Sequence, residues 1–214
     1  MRWAGVSKAY VIIGKGKWDI PNLLGDGSSL DLNLAYLMVG LPFGPPYTLD
    51  QAYPFVHDSL VVMGFPDILF QPDDAFEQLL QRQVATNADV VLGLFPAKPP
   101  QEKDIVDFDN SGKIERISTK PLASNVRHTW IIAAWTPIFA RFMHEHLLAK
   151  KPKGDPGDPD ATNALSMGEV IQSGIEGGLN VDSVLFSEGD FLDIGTPEDL
   201  LKAVTDAGTR DSGK

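Results

Sequence analysis

The chain has 214 residues, a formal net charge of −11 and no cysteine. Its length predicts a single domain over residues 1–214 with a sizeable core, because a chain of this size buries about 70% of its unfolded surface. The acidic balance argues against a nucleic-acid partner, which requires a basic face. The missing cysteines exclude disulfides, thiolate metal sites and a cysteine nucleophile.

The sequence carries no membrane signal. No apolar run approaches the roughly 20 residues that a bilayer span needs, and residues 1–5 lack the apolar core of a signal peptide. We therefore expect no membrane partner and a cytoplasmic location.

Strands and helices alternate over the first half of the chain. Apolar runs at residues 9–13, 32–39, 59–63 and 88–95 predict strands. The spacing of Phe76, Leu79, Leu80 and Val84 predicts an amphipathic helix that ends near Asn87. This alternation favours βαβ units and a largely parallel sheet.

A hairpin interrupts this rhythm. Residues 104–109 and 113–117 flank the turn sequence Asn110-Ser111-Gly112. The remaining elements are predicted as a strand at 129–135, a helix from 137 to 148, a mobile surface loop near 150–164, a helix at 167–175, a strand at 181–185, and a last helix before a tail at 207–214. On the last helix, Leu200, Leu201 and Val204 are predicted to face inward.

Two aspartates stand where strands end. Asp67 follows the apolar run 59–63, and Asp193 precedes a turn at Gly195 and a helix with Thr196 as its N-cap. Strand ends are where α/β sheets bind ligands. Two carboxylates suit Mg²⁺, or Mn²⁺ in its place, because Mg²⁺ takes one or two carboxylates together with water and phosphate oxygens. The alternative is that each aspartate only caps or turns the chain.

The other motifs are weaker indications of a functional site. Gly14-Lys15-Gly16-Lys17 lacks the spacing of a phosphate-binding loop and is predicted to be a solvated basic turn. His144 and His146 are two positions apart on a helix, so they do not converge on a metal. Lys120 follows the hairpin, is fixed by Pro121, and is placed either to hold an anion or to lie on the surface.

The chain resembles the sugar-1-phosphate nucleotidyltransferases, in particular the glucose-1-phosphate thymidylyltransferase and uridylyltransferase branch. The resemblance begins with the order in which Asp67, Lys120 and Asp193 follow one another. The segments that carry the resemblance are 63–67, 107–114, 118–121 and 191–197. The resemblance implies a Rossmann-like three-layer α/β/α fold with a mostly parallel mixed sheet and a β-hairpin insertion.

The resemblance also implies a reaction. A sugar 1-phosphate and a nucleoside triphosphate, with dTTP or UTP favoured, would give a nucleotide-sugar and pyrophosphate, in a chain that can form a homo-oligomer. Asp67 and Asp193 would hold the metal ion and Lys120 the sugar phosphate. The other substrate-binding residues that the resemblance implies are Gly64, Asp104, Thr119 and Thr129.

The chain departs from the family pattern in several places. The family's opening strand and Gly-x-Gly-Thr-Arg-Leu loop are not found, so an N-terminally truncated unit is expected. Thr119 stands where the family has Glu, and Asp104 where it has Gly. One alternative is therefore a catalytically silent module that binds nucleotide-sugars. A second alternative is a metal-dependent glycosyltransferase, which would need an Asp-x-Asp motif at Asp67. The sequence there is Asp67-Ile68-Leu69, and the Asp107-Phe108-Asp109 triplet sits in the hairpin, so this alternative is less favoured.

Overall fold

The computed structural model describes residues 1, 4–40, 43–97, 104–119, 128–150 and 165–211. Its strands are β1 (Lys8–Gly14), β2 (Asn33–Val39), β3 (Val61–Gly64), β4 (Ile68–Gln71), β5 (Val90–Pro96), β6 (Ile105–Phe108), β7 (Ile114–Ser118), β8 (His128–Trp135), β9 (Val181–Leu185) and β10 (Asp190–Asp193). Its helices are α1 (Asp19–Leu24), α2 (Pro45–Leu49), α3 (Tyr53–Val56), α4 (Ala75–Thr86), α5 (Pro137–Ala149), α6 (Met167–Glu176) and α7 (Pro197–Asp211).

The central sheet has the strand order β3-β8-β5-β9. β8 runs antiparallel to β3 and β5, whereas β9 runs parallel to β5. The remaining strands form a parallel pair β1–β2, an antiparallel pair β4–β10 and the predicted hairpin β6–β7. The sheet is therefore mixed, as the resemblance implied: β3, β5 and β9 run in one direction, and β8 runs against its two neighbours, β3 and β5.

Two apolar clusters cover the two faces of the central sheet. One joins the sheet to α5, α6 and the hairpin, and the other joins it to α4. β5 lies between them, and its Val90, Leu92 and Phe95 are each 0% exposed. A strand buried on both faces reads as a continuous apolar run, which is why this element was visible in the sequence. These clusters give the predicted three-layer α/β/α arrangement.

The hairpin is fastened to the far edge of the sheet by an ion pair. Arg82 on α4 donates from Nε and Nη2 to Asp182 Oδ1 on β9, at 3.0 and 2.9 Å, and Nη2 also reaches the carbonyl of Ser111 in the hairpin turn. Ser183 Oγ donates to the Gly112 carbonyl at 2.6 Å. The turn is thus held by side chains from two other elements, and this fixes the direction in which the hairpin projects.

One expectation about the last helix was wrong, and one strand was missed. Leu200, Leu201 and Val204 are 48%, 70% and 62% exposed, because α7 packs chiefly against β10, a strand outside the central sheet. The short strand β4 was not predicted, because only its pairing with the distant β10 makes it a strand. By contrast, α4 ends at Asn87 in a left-handed conformation with φ 50°, as predicted.

Some sequence expectations cannot be compared with the structure. The predicted mobile loop at 150–164 lies almost wholly outside the described residues, as do residues 212–214 of the predicted tail. The start of that tail was wrong, because residues 207–211 continue α7. Among the residues that are described, no helix has both the length and the apolar character needed to cross a membrane.

Removal of the Arg82 guanidinium is expected to destabilise the fold. Asp182 is only 5% exposed, so Arg82→Met leaves a buried carboxylate without its ion pair, at a cost of about 1–3 kcal/mol in free energy of unfolding. Urea denaturation measures this difference. Arg116→Met removes an exposed arginine from β7 of the same hairpin and serves as the control. Equal stability of the two variants would contradict this role for the ion pair.

His146 on α5 is expected to make the protein less stable in mild acid. Its Nε2 is buried without a hydrogen-bond partner among the described residues. Burial, and then the charge of Lys150, lower its pKa below the usual 6.5. As the pH falls, His146 of the unfolded chain binds a proton before His146 of the folded chain does. The free energy of unfolding is therefore fully present above pH 6.5 and falls as the pH drops from 6.5 toward the pKa of the folded state.

The His146→Gln variant tests this pH dependence. Chemical denaturation between about pH 7.5 and 5.5 should show a smaller loss of stability in the variant than in the wild type. His57→Gln removes an exposed histidine as the matched control. An unchanged pH profile in His146→Gln would show that burial of this ring is not the cause.

Candidate functional site

The structure brings Asp67 and Asp193 together through backbone pairing. Asp67 lies in the short connection between β3 and β4, and Asp193 is the last residue of β10. The antiparallel register pairs Ile68 with Asp193, and the amide of Ile194 donates to the carbonyl of Asp67 at 2.8 Å. Two loops that are far apart in sequence are therefore placed side by side.

Gly195 separates the two carboxylates. A Cβ built on Gly195 would lie 3.1 Å from Asp193 Oδ1 and 3.2 Å from Asp67 Oδ2. The two oxygens therefore face the same point and can be no farther apart than these two distances together. The Gly195 amide donates to Asp193 Oδ1 at 3.1 Å. Asp67 is exposed and Asp193 is half-buried, so the space between them is open to solvent.

The start of α7 fixes this turn, as the sequence predicted. Thr196 Oγ1 accepts a hydrogen bond from the amide of Asp199 at 3.1 Å and donates to Asp199 Oδ2 at 2.7 Å. Pro197 occupies the first helical position, where its missing N–H costs nothing. The helix cap therefore holds the chain immediately after Asp193.

A second polar cluster lies where the hairpin meets α6. Asp104 Oδ2 accepts a hydrogen bond from Trp130 Nε1 at 3.1 Å. Thr119 Oγ1 lies 3.5 Å from the Oγ of Ser166, the N-cap of α6. Two of the predicted substrate-binding residues, Asp104 and Thr119, are thus found at the N-terminal end of one helix, α6.

Trp130 connects the two clusters and was not singled out from the sequence. Its ring centroid is 6.0 Å from that of Phe65, which belongs to the connection that carries Asp67. Trp130 is 8% exposed. The available signal was a tryptophan inside the apolar run of β8, but periodicity alone does not show which face of the strand it occupies.

The other predicted site residues differ in their placement. Gly64 ends β3 and is half-buried, and a Cβ there would come within 3.1 Å of Phe76 Cζ. Thr129 is 1% exposed, so its side chain offers no surface to a ligand in this structure. Lys120 lies outside the described residues.

The residues present fit a Mg²⁺ ion that is shared with a ligand. In the described part of the chain, no group of three or more His, Asp or Glu side chains is arranged to hold a metal ion by itself. Mg²⁺ does not need one, because it is usually bound by one or two carboxylates and takes its other oxygens from water and phosphate. The two oxygens over Gly195 match that donor set, and their role as metal ligands stays a prediction.

Curated relatives cover nearly all of this chain. A nucleotidyltransferase of low-salt glycan biosynthesis, Agl11 from Haloferax volcanii, is 28% identical over 204 residues, which are 95% of this chain and 54% of that protein. A glucose-1-phosphate thymidylyltransferase from Streptomyces antibioticus is 25% identical over 203 residues, 93% of this chain and 52% of that protein. The chain thus spans about half the length of these relatives.

Solved structures share the fold. A Bacillus anthracis protein assigned as a glucose-1-phosphate thymidylyltransferase, in complex with sucrose, superimposes with a TM-score of 0.77 at 17% identity, over 94% of this chain and 76% of its own. A UDP-glucose pyrophosphorylase complexed with UDP-glucose gives a TM-score of 0.74 at 12% identity, over 97% and 82%. At these identities the likeness establishes the architecture alone.

The sequence profile of the nucleotidyl transferase family matches residues 2–210, which is almost the entire chain. The mixed sheet, the hairpin and the strand-end carboxylates described above all lie within this match. The chain therefore belongs to the nucleotidyl transferase family.

Proposed function

We propose that this chain transfers a nucleotidyl group from a nucleoside triphosphate, dTTP or UTP, to a sugar 1-phosphate and releases pyrophosphate. The observation that carries the proposal is the meeting of Asp67 and Asp193 over Gly195. Family membership supports nucleotidyl transfer, and the names of the relatives and structural neighbours, a thymidylyltransferase and a UDP-glucose pyrophosphorylase, support this pair of substrates.

The reaction needs no covalent nucleophile on the protein. A phosphate oxygen of the sugar 1-phosphate attacks the α-phosphorus and forms the new P–O bond. The bond from the α-phosphorus to the bridging oxygen breaks, and its electron pair leaves with pyrophosphate. The protein contributes position and charge complementarity, which supply most of the catalysis in such transfers.

The two aspartates have the role of metal ligands in this proposal. Asp67 and Asp193 would hold Mg²⁺ or Mn²⁺, which when bound offsets the negative charge of the triphosphate. Backbone pairing of β4 with β10 supports this role, because it places Asp193 beside Ile68, the residue after Asp67. Their mutual repulsion favours uptake of a cation between them.

The sugar phosphate has its own set of residues. Lys120 would hold the phosphate as a point charge, and Asp104 and Thr119 would meet the sugar ring at the α6 end of the hairpin. Gly64 would let the substrate approach the end of β3. Thr129 is buried on β8, so its role would be to support these residues without touching the sugar.

The geometry of Asp109 argues against the glycosyltransferase alternative. Its Oδ1 accepts hydrogen bonds from Ser111 Oγ at 2.6 Å and from the amides of Ser111 and Lys113 at 2.8 and 3.1 Å. The hydrogen bond from the Ser111 side chain is the largest cause that lowers the pKa of Asp109. This carboxylate serves the hairpin turn, so the Asp107-Phe108-Asp109 triplet does not offer a paired metal motif.

Asp193→Asn is expected to reduce turnover about 100-fold or more and to leave the fold intact. The amide keeps the size and the hydrogen bond from Gly195 but loses the charge that the cation requires. Pyrophosphate release, assayed with glucose 1-phosphate and dTTP or UTP at saturating Mg²⁺, measures this loss. Asp190→Asn on the same strand is the control, because Asp190 is exposed at the opposite end of β10.

Two results would contradict the proposal. Unchanged turnover in Asp193→Asn would remove this residue from the reaction. If the wild type binds a nucleotide-sugar but releases no pyrophosphate with any pair of triphosphate and sugar phosphate, the chain is a binding module.

Gly195→Ala is expected to weaken binding of Mn²⁺ by about tenfold or more. The backbone of Gly195 is not in the left-handed region, so the added methyl acts mainly by standing 3.1 and 3.2 Å from the two carboxylate oxygens. Electron paramagnetic resonance of Mn²⁺ measures the free ion. Gly14→Ala adds a methyl in open space and is the matched control. Equal Mn²⁺ affinity in the two variants would mean that the cation lies elsewhere.

A further inference from the structure

We propose that Trp130 is a positioning residue for the sugar phosphate, because it fixes the carboxylate of Asp104 against the first turn of α6. This inference rests on the proposed function and adds one residue, and one requirement on the sugar, to it. The sugar ring must offer a hydroxyl or another hydrogen-bond donor to this carboxylate.

A β-bulge sets the direction of Trp130. On β5, Gly93 pairs with Ile132 of β8, whereas the next residue, Leu94, pairs with Trp130. Ile131 is therefore an extra residue with no counterpart on β5. Such a bulge reverses the alternation of side chains along the strand on one side of it.

The burial pattern records this reversal. Ile132 and Ala134 face the cluster with α4, and Ala133 and Trp135 face the cluster with the hairpin and α6. In a regular strand Trp130 would share the face of Ile132 and Ala134. The bulge moves it to the opposite face, so its indole is directed toward the hairpin.

The indole then meets a carboxylate that is confined on its other side. Trp130 Nε1 donates to Asp104 Oδ2 at 3.1 Å, which provides the partner that a buried indole N–H requires. A Cβ on Gly168, in the first turn of α6, would overlap the same oxygen. Hydrogen bonds to an ionised group are the stronger class, so the carboxylate is held in one orientation.

This arrangement joins the two clusters of the site. Trp130 also packs against Phe65, at 6.0 Å between ring centroids, and Phe65 belongs to the connection that carries Asp67. One side chain thus contacts both the wall that would receive the sugar and the loop that would receive the metal ion. The Trp130→Phe substitution removes the indole N–H but keeps an aromatic ring. It should therefore weaken the contact with Asp104 more than the packing against Phe65.

The experiment is a double-mutant cycle in the full chain. Steady-state kinetics with glucose 1-phosphate and dTTP or UTP are measured for the wild type, Trp130→Phe, Asp104→Asn and the double variant. Trp135→Phe removes a second buried indole from the same face of β8 and is the matched control. Thermal melting of each variant confirms that the protein is folded.

We expect Trp130→Phe to raise the KM for the sugar phosphate roughly tenfold, with a smaller change in kcat and in the KM for the triphosphate. The double variant should be little worse than Asp104→Asn alone. Asparagine can keep the hydrogen bond from Trp130 but then turns its NH2 group, instead of a second carboxylate oxygen, toward the sugar, so the contact that Trp130 positions is already lost. Trp135→Phe should keep the wild-type KM.

Two outcomes separate this inference from the proposed function. If the wild type is active and Trp130→Phe keeps the wild-type KM for the sugar phosphate, or if the effects of Trp130→Phe and Asp104→Asn are additive, Trp130 has no positioning role and the proposed function stands. If the wild type releases no pyrophosphate with any pair of substrates, the proposed function fails and this inference fails with it.

Discussion

The antiparallel pairing of β4 with β10 is the constraint on which the candidate site depends. It places Asp193, the last residue of β10, beside Ile68, so that Asp67, the residue just before β4, lies next to the chain that follows Asp193. Aromatic packing fastens this ladder to the core, because Phe70 and Phe191 both meet the fully buried Phe95 of β5, at 6.0 and 6.3 Å between ring centroids. The small ladder beside the two carboxylates is therefore anchored on a buried residue of the central sheet.

This origin explains how two acidic groups can be held so close together. Their backbone positions are set by the hydrogen bond from Ile194 to Asp67 and by the helix cap at Thr196. Their repulsion is limited because Asp67 is exposed to water. A site of this kind is ordered in advance and remains open to a ligand that brings its own oxygens.

The hairpin carries the wall that the proposal assigns to the sugar phosphate, and it is fixed at both ends. Arg82 and Asp182 hold its turn to the far edge of the sheet, and Trp130 holds its first residue, Asp104, at the start of α6. Both attachments use buried or half-buried polar side chains, which are costly to leave unpaired and therefore specify one geometry. The bulge in β8 couples this wall to the central sheet.

The sequence by itself determined the features whose causes are local. Strand-end aspartates, the Thr196 cap, the hairpin turn and the end of α4 at Asn87 follow from turn chemistry and from the spacing of apolar residues. Only the tertiary structure decided that β4 exists, that Trp130 turns toward Asp104, and that Leu201 is exposed. The strand β4 depends on its pairing with the distant β10, the direction of Trp130 depends on an extra residue in β8, and the exposure of Leu201 depends on which element α7 packs against. None of these three causes leaves a periodic signal in the sequence.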